Sequence, residues 1–182
     1  MGLIGRQRLY HPARPATSAE RQRVFVQKRA AELQRLRQQL AQKVYHDSLK
    51  HDWPTPWHVF DPYNDEFAFT LDVCATAANT KCARYFSPEQ DGLLQDWGDD
   101  VCWMNPPYGT AIGRWMAKAY RSALAGATVV VLVPSRPGTL WWHDWVLGKA
   151  EVRLRKGRIR FVGAPNHAGF PSVAAIYRPL PW

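Results

Sequence analysis

Four consecutive residues, Asn105-Pro106-Pro107-Tyr108, carry the strongest chemical signal in the sequence. They follow the apolar run Val101-Cys102-Trp103-Met104 and precede Gly109 and a helical stretch. Two successive prolines stiffen the backbone and remove two N–H donors, so the loop presents carbonyl acceptors. The Asn105 side chain adds another acceptor, and Tyr108 adds an aromatic face. Such a loop suits a planar group bearing an NH2. Two acceptors take its two hydrogens, and its ring stacks on the tyrosine. Binding both hydrogens draws an amide-like nitrogen towards a geometry with a free lone pair, which can attack an electrophile. For Asn-Pro alone a rigid strand-to-helix turn is the better reading. The full tetrad at a strand end favours chemistry, because ligands of open α/β sheets bind at the carboxyl ends of strands.

The surrounding pattern supplies elements to hold that loop. Buried strands are predicted over 67–74 and 101–104, a helix over 111–124, and an uninterrupted β-branched strand over 128–133. Gly126 stops the helix. A short helix over 141–147 follows, then alternating segments over 151–155 and 158–161, then a last strand over 172–177. Strands alternating with helices imply an α/β sheet with helices on its faces. Upstream, Thr17-Ser18-Ala19-Glu20 has capping-box spacing. Val26, Ala30, Leu33, Leu36, Leu40 and Val44 recur at helical spacing as far as Trp53-Pro54-Thr55-Pro56, where two prolines end the pattern. The expected organisation is a flexible basic tail over 1–16, a basic amphipathic helix over 17–50 and a compact domain over 51–182. The apolar stripe could pack on the domain or pair with a second copy; the basic face could lie along DNA.

The chain has 182 residues, of which 46% are hydrophobic and 21% charged, ordinary globular usage. Its longest apolar run, 129–133, is far short of the ~20 residues a membrane span needs. Met1-Gly2-Leu3-Ile4-Gly5-Arg6 has neither a signal core nor a myristoylation pattern. Three cysteines without a Cys-x-x-Cys pair argue against a disulfide framework or a zinc cage. The expectation is a cytoplasmic protein without metal or membrane.

Charge is unevenly placed. Residues 1–50 hold 11 Lys/Arg and 3 Asp/Glu (+8), residues 51–100 hold 2 and 10 (−8), and residues 101–182 hold 11 and 2 (+9). Basic flanks attract a polyanion such as nucleic acid. The acidic middle suits a cationic or hydroxyl-rich ligand. Within the last third, Lys149, Arg153, Arg155, Lys156, Arg158 and Arg160 lie close together. A β-ribbon would put the arginines on one face, opposite Val152, Leu154, Ile159 and Phe161, where they could contact phosphates. A solvated strand face is the plainer explanation. Ser135-Arg136-Pro137-Gly138 reads as a loop over the site or as an ordinary turn. Trp103, Trp115 and Trp142 read as core, and His143 as structural.

Asn-Pro-Pro-Tyr is the signature of amino-group methyltransferases that use S-adenosylmethionine. The wider chain resembles one branch, the phage-type DNA N6-adenine methyltransferases. The likeness rests on Trp53 to Pro56, Phe69-Thr70-Leu71-Asp72-Val73-Cys74-Ala75-Thr76, Arg84-Tyr85-Phe86, Asp91-Gly92-Leu93, Trp97, Asn105 to Gly109 and Trp115. It continues through Leu132 to Arg136, Trp142-His143, Gly157 to Phe161 and Phe170-Pro171-Ser172, covering about residues 53–178. The resemblance implies a Rossmann-like methyltransferase sheet in an α/β fold. It implies that Thr55 and Pro56 close over the methionine end of the cofactor. Asp72 would lie near the cofactor ammonium, with Cys74 and Ala75 lining the pocket. Asp91 would accept from the cofactor adenine, and Asn105, Pro106, Pro107 and Tyr108 would hold the target adenine. The acidic middle then has a purpose, since the cofactor carries a sulfonium and an ammonium.

The chain departs from the wider pattern. Ala75-Thr76-Ala77-Ala78 stands where a Gly-x-Gly loop is expected. Only 32 residues separate Asp72 from Asn105, so the second and third strands should be short or missing. No ribose carboxylate and no target-recognition insertion stand out. The expected reaction is methyl transfer from S-adenosylmethionine to N6 of adenine in DNA, with the base flipped out. Arg136, Arg158 and Arg160 are the candidate DNA contacts, and a homodimer could form through the N-terminal helix. The rival readings are the same chemistry on RNA or a protein glutamine, and an inactive DNA-binding protein of the same fold.

Deleting residues 1–50 tests the role of the basic helix. If the helix neutralises DNA phosphates, the log–log salt dependence of binding flattens by ~0.9 for each phosphate it no longer neutralises. Turnover at saturating DNA should survive, since every proposed catalytic residue lies beyond Trp53. An unchanged slope rules out the DNA role, and a fall in sedimented mass beyond the truncation itself supports pairing.

Overall fold

The computed structural model describes residues 17–48 and 53–179. The tail expected over 1–16 lies outside the described residues. The chain divides into two units, Met1–Gln39 and Leu40–Trp182.

Helix α1 (Ser18–Ser48) starts in the first unit and runs past its boundary at Gln39. Its start is the expected capping box: the Thr17 N–H donates to Glu20 Oε2 at 2.6 Å, and the Glu20 N–H donates to Thr17 Oγ1 at 3.2 Å. The hydrogen bond from the Thr17 backbone holds the Glu20 carboxyl below its ordinary pKa. Val26, Leu33 and Leu36 of the apolar stripe are exposed.

The second unit contains α2 (Trp57–Phe67), β1 (Leu71–Asp72), β2 (Arg84–Tyr85), β3 (Val101–Met104), α3 (Ile112–Leu124), β4 (Thr128–Pro134), α4 (Leu140–Trp145), β5 (Glu151–Leu154) and β6 (Ser172–Tyr177). Six strands form one sheet in the order β2-β1-β3-β4-β6-β5. The first four are mutually parallel, β6 runs antiparallel to β4, and β5 runs antiparallel to β6. This is the expected α/β sheet. Among the described residues, the two-residue β2 is the only strand between β1 and β3. One expected strand is therefore shortened and another is missing.

Both faces of the sheet are covered, which is why β4 and β6 read as continuous apolar runs. On one face, α3 buries Ile112, Trp115, Met116, Ala119 and Ala123, and α4 buries Trp142. On the other face, Val59 and Phe60 of α2 pack on Trp103, Val130, Leu132, Ile159 and Phe161. The Phe60 and Trp103 rings meet edge to face at 5.1 Å. The three tryptophans assigned to the core are buried. His143 is exposed.

Three expectations are corrected. The strand over 67–74 shrinks to Leu71–Asp72, because an unforeseen helix, α2, ends at Phe67 with Ala68 as a left-handed cap. Pro62 masked that helix in the sequence, since an interior proline forfeits a backbone hydrogen bond. The segment 158–161 is not a strand, so no β-ribbon forms. Ile159 and Phe161 are buried as expected, but Val152 and Leu154 are exposed on edge strand β5. Arg153, assigned to a phosphate-binding face, instead grips Glu66 of α2 with both guanidinium nitrogens and also bonds Glu151. Arg178 completes the cluster through Glu151.

Gly92 is the tightest joint in the sheet's surroundings. A Cβ there would lie 2.0 Å from the Val73 carbonyl oxygen, just beyond β1. The Gly92 carbonyl also accepts from the buried Trp97 indole at 2.9 Å. Gly92→Ala should cost about 3 kcal/mol, the upper end of ordinary overpacking. Thermal unfolding should show it as a fall of roughly 10 °C; an unchanged midpoint would mean that the backbone shifts freely.

Candidate active site

The strand order places β1 between β2 and β3, so the chain leaves β1 in one direction and returns on its other side. Such a reversal opens a crevice at the carboxyl ends of the two parallel strands. β1 ends there in Asp72 and β3 leads there into Asn105.

Asp72 is buried, and its carboxylate organises the following loop. Oδ1 accepts from the Cys74 N–H at 3.4 Å and Oδ2 from the Lys81 N–H at 3.0 Å. Between these points the Thr76 N–H donates to Asn79 Oδ1 at 2.6 Å. An asparagine side chain thus closes the turn that has no glycines. The Lys81 ammonium lies 3.9 Å over the Trp57 ring. Burial lowers its pKa, while Asp72 and Asp61 pull it back up.

A narrow cleft opens between Thr55, Asp72, Cys74, Ala75 and Asn105, with Asn79, Lys81 and Trp103 completing its wall. The Thr55 hydroxyl is buried and has no hydrogen-bond partner. Asp72, Lys81 and the unsatisfied Thr55 hydroxyl thus all border this cleft. That donor set matches the zwitterionic head of an amino acid. Thr55, Asp72, Cys74 and Ala75, expected at the cofactor, are brought together here. Pro56 instead caps α2, its carbonyl accepting from Val59 and Phe60. Asp91 adopts a positive φ of 53° and accepts from the Leu93 N–H at 3.1 Å; it lines neither this cleft nor the groove described next.

The tetrad is held from both sides. Asn105 Nδ2 donates to the Trp53 carbonyl at 3.0 Å. The Tyr108 hydroxyl lies 2.7 Å from Asn105 Oδ1 and 3.2 Å from the Leu132 carbonyl, so its one hydrogen serves two acceptors. Burial pushes the Tyr108 phenol well above its ordinary pKa, so it stays a donor. Phe170 and Phe161 meet the Tyr108 ring edge to face at 5.6 and 6.1 Å. Among the described residues, no backbone hydrogen bond ends on the Pro106 or Pro107 carbonyl.

Beyond Tyr108 lies a second, wider groove of about 540 Å3, lined by Thr110, Arg136, Leu140, Trp141, Asp144 and Trp145 among others. Asn105 faces the first cleft and Tyr108 the second, and one hydrogen bond joins them. Two compartments that share an amide–phenol wall suit a transfer between two substrates.

The family model for DNA N-6-adenine-methyltransferase (Dam) matches residues 42–176. The chain belongs to this family. It is 37% identical over 118 residues to a DNA N-6-adenine-methyltransferase of Haemophilus phage HP1, covering 63% of this chain and 68% of the relative. It is 26% identical over 108 residues to one of Escherichia phage T1, covering 58% and 45%.

In this Dam-family chain the DNA candidates divide. Arg136 is exposed at the wide groove, its guanidinium 5.9 Å from the Phe170 ring centroid. Arg158 and Arg160 are exposed on irregular backbone beside Ile159 and Phe161, and Arg160 Nε donates to the Ala164 carbonyl at 3.3 Å. Among the described residues no cluster could hold a metal, and no helix is long and apolar enough to cross a membrane. Sequence reasoning missed Asn79 and Lys81. A signal for Lys81 was present, since it is one of only two basic residues in the acidic middle third.

The sequence valued Tyr108 for its ring alone, whereas the structure gives its hydroxyl the task of orienting Asn105. Tyr108→Phe should slow methyl transfer about tenfold, the worth of one hydrogen bond in a positioned site. Tyr108→Ala should cost more. Full activity in the phenylalanine variant, read by single-turnover kinetics, would show that the hydroxyl does not orient the amide.

Proposed function

We propose that the chain transfers a methyl group from S-adenosyl-L-methionine to N6 of adenine in DNA. The observation that carries this reading is the Asn105–Tyr108 hydrogen bond joining the narrow cleft to the wide groove. The cofactor supplies an electrophilic methyl on a sulfonium. Asp72, Lys81 and the Thr55 hydroxyl are suited to hold its amino-acid end. They do so without a glycine-rich loop, because Asn79 closes the turn instead.

On the other side, the target adenine leaves the duplex to reach the tetrad, since its amine is inaccessible inside the stack. Asn105 Oδ1 has two lone pairs. Tyr108 uses one, and the other accepts one hydrogen of the amine. The Pro106 carbonyl accepts the second. The nitrogen lone pair is then freed and points at the methyl carbon. As the C–N bond forms, the C–S bond breaks, and a proton leaves the nitrogen for solvent. Catalysis is positioning and polarisation.

Family membership favours DNA over RNA, and the net charge of +9 adds a reason to prefer a polyanion to a protein glutamine. The braced Asn105 side chain favours activity over an inactive relative. Labelled cofactor with unmethylated duplex DNA, followed by nucleoside analysis, tests the proposal: label should appear in N6-methyladenine. Label in cytosine, or no label in the DNA, would reject it. Asn105→Ala should lower turnover by about 10²–10³, the worth of one preorganised group at a reacting centre. Calorimetry should find cofactor affinity changed little. Near-normal turnover would reduce the tetrad to a turn.

A further inference from the structure

The rim of the wide groove carries a feature that neither the fold nor the proposed chemistry uses. Leu140 opens α4 at 83% exposure, the highest value among the exposed large hydrophobic side chains of the described residues. One exposed leucine needs no explanation in general. This one lines the groove that Tyr108 also lines, with Arg136 on the same rim.

Its mounting is rigid. The Ser135 N–H donates to the Pro171 carbonyl at 2.8 Å, anchoring the loop to the segment that leads into β6. The Arg136 carbonyl then accepts twice from Thr139, from the N–H at 3.1 Å and from Oγ1 at 2.8 Å. That closes a turn over Pro137 and Gly138, and Pro137 is itself exposed. On the far side of Leu140, Trp142 is buried in the core. The chain thus spends a double-bonded turn and a buried tryptophan on holding an apolar tip in water beside a cationic side chain.

We propose that Leu140 is the wedge that enters the DNA duplex where the target adenine has left it, with Pro137 beside it and Arg136 on the flanking phosphate. Apolar side chains, leucine and proline among them, insert between base steps and stabilise an unstacked duplex. An extruded base leaves an apolar gap that water fills poorly. A preformed tip fills it without the entropic cost of first ordering a loop. The cation beside the tip fits a polyanion better than a second copy of this basic chain or a basic partner. Leu140 is therefore a positioning residue, acting through the base it helps to hold out. This inference rests on the proposed action on duplex DNA.

The test uses the full chain and an oligonucleotide duplex carrying a methylation site mapped beforehand by sequencing. A second duplex has an abasic position opposite the target, so that extrusion breaks no base pair. Leu140→Ala should slow methylation of the paired duplex about tenfold and leave the abasic-paired duplex within about twofold of wild type, because an unpaired base flips at least cost. Leu140→Phe should restore the paired rate. Equal losses on the two duplexes, or no loss on the paired one, would overturn the wedge while leaving the methyltransferase reading intact. Failure of the wild-type protein to yield any N6-methyladenine site in the mapping step would sink both.

Discussion

The site depends on one topological constraint. β1 and β3 are adjacent and parallel, yet the chain leaves them on opposite sides, so nothing fills the space beyond their carboxyl ends. Asp72 pairs with Trp103 across those strands, and each is followed within two residues by a group that lines the cleft, Cys74 and Asn105. β2 pairs along the outer side of β1, and Gly92, bonded to the buried Trp97, lies close against the Val73 carbonyl just beyond the strand. The register of two short strands therefore sets the separation between the cofactor end and the tetrad.

Within that crevice the polar groups form a connected whole. Trp53, ahead of α2, gives its carbonyl to Asn105; Asn105 gives its oxygen to Tyr108; and Tyr108 reaches the end of β4 at Leu132. Three segments distant in sequence hold one amide still. A network of this kind is costly when half-satisfied and orienting when complete. The unsatisfied Thr55 hydroxyl at its edge is the exception, and it borders the cleft to which the cofactor is assigned.

The charges show how composition can mislead at the level of residues. The basic last third suggested a phosphate-binding ribbon, yet Arg153 and Arg178 join Glu66 and Glu151 in a cluster between α2 and the sheet edge. Such exposed pairs contribute little net stability, being screened and costly to order. What they do here is engage Arg153, one of the six basic residues read as a phosphate-binding face. Alternation was a sound guide for Ile159 and Phe161, which point into the core without belonging to any strand.

The sequence by itself determined the sheet-forming runs of β3, β4 and β6, the stripe of α3, the capping box of α1 and the tetrad at a strand end. Each is a local pattern whose physical cause lies within a few residues. That the second and third strands would be short or missing was also legible, because 32 residues cannot hold two full strand–helix units. Only the tertiary structure decided the rest. The helix around Pro62 is favoured because Val59 and Phe60 find Trp103 on the face of the sheet that they cover, a long-range gain that outweighs a local defect. Lys81 joins Asp72, Arg153 is withdrawn to Glu66, and the Tyr108 hydroxyl is aimed at Asn105 by interactions that no spacing reveals. A periodic pattern records which face of an element is apolar, but hydrogen-bond partners are chosen by which elements become neighbours, and that is settled only when the sheet assembles.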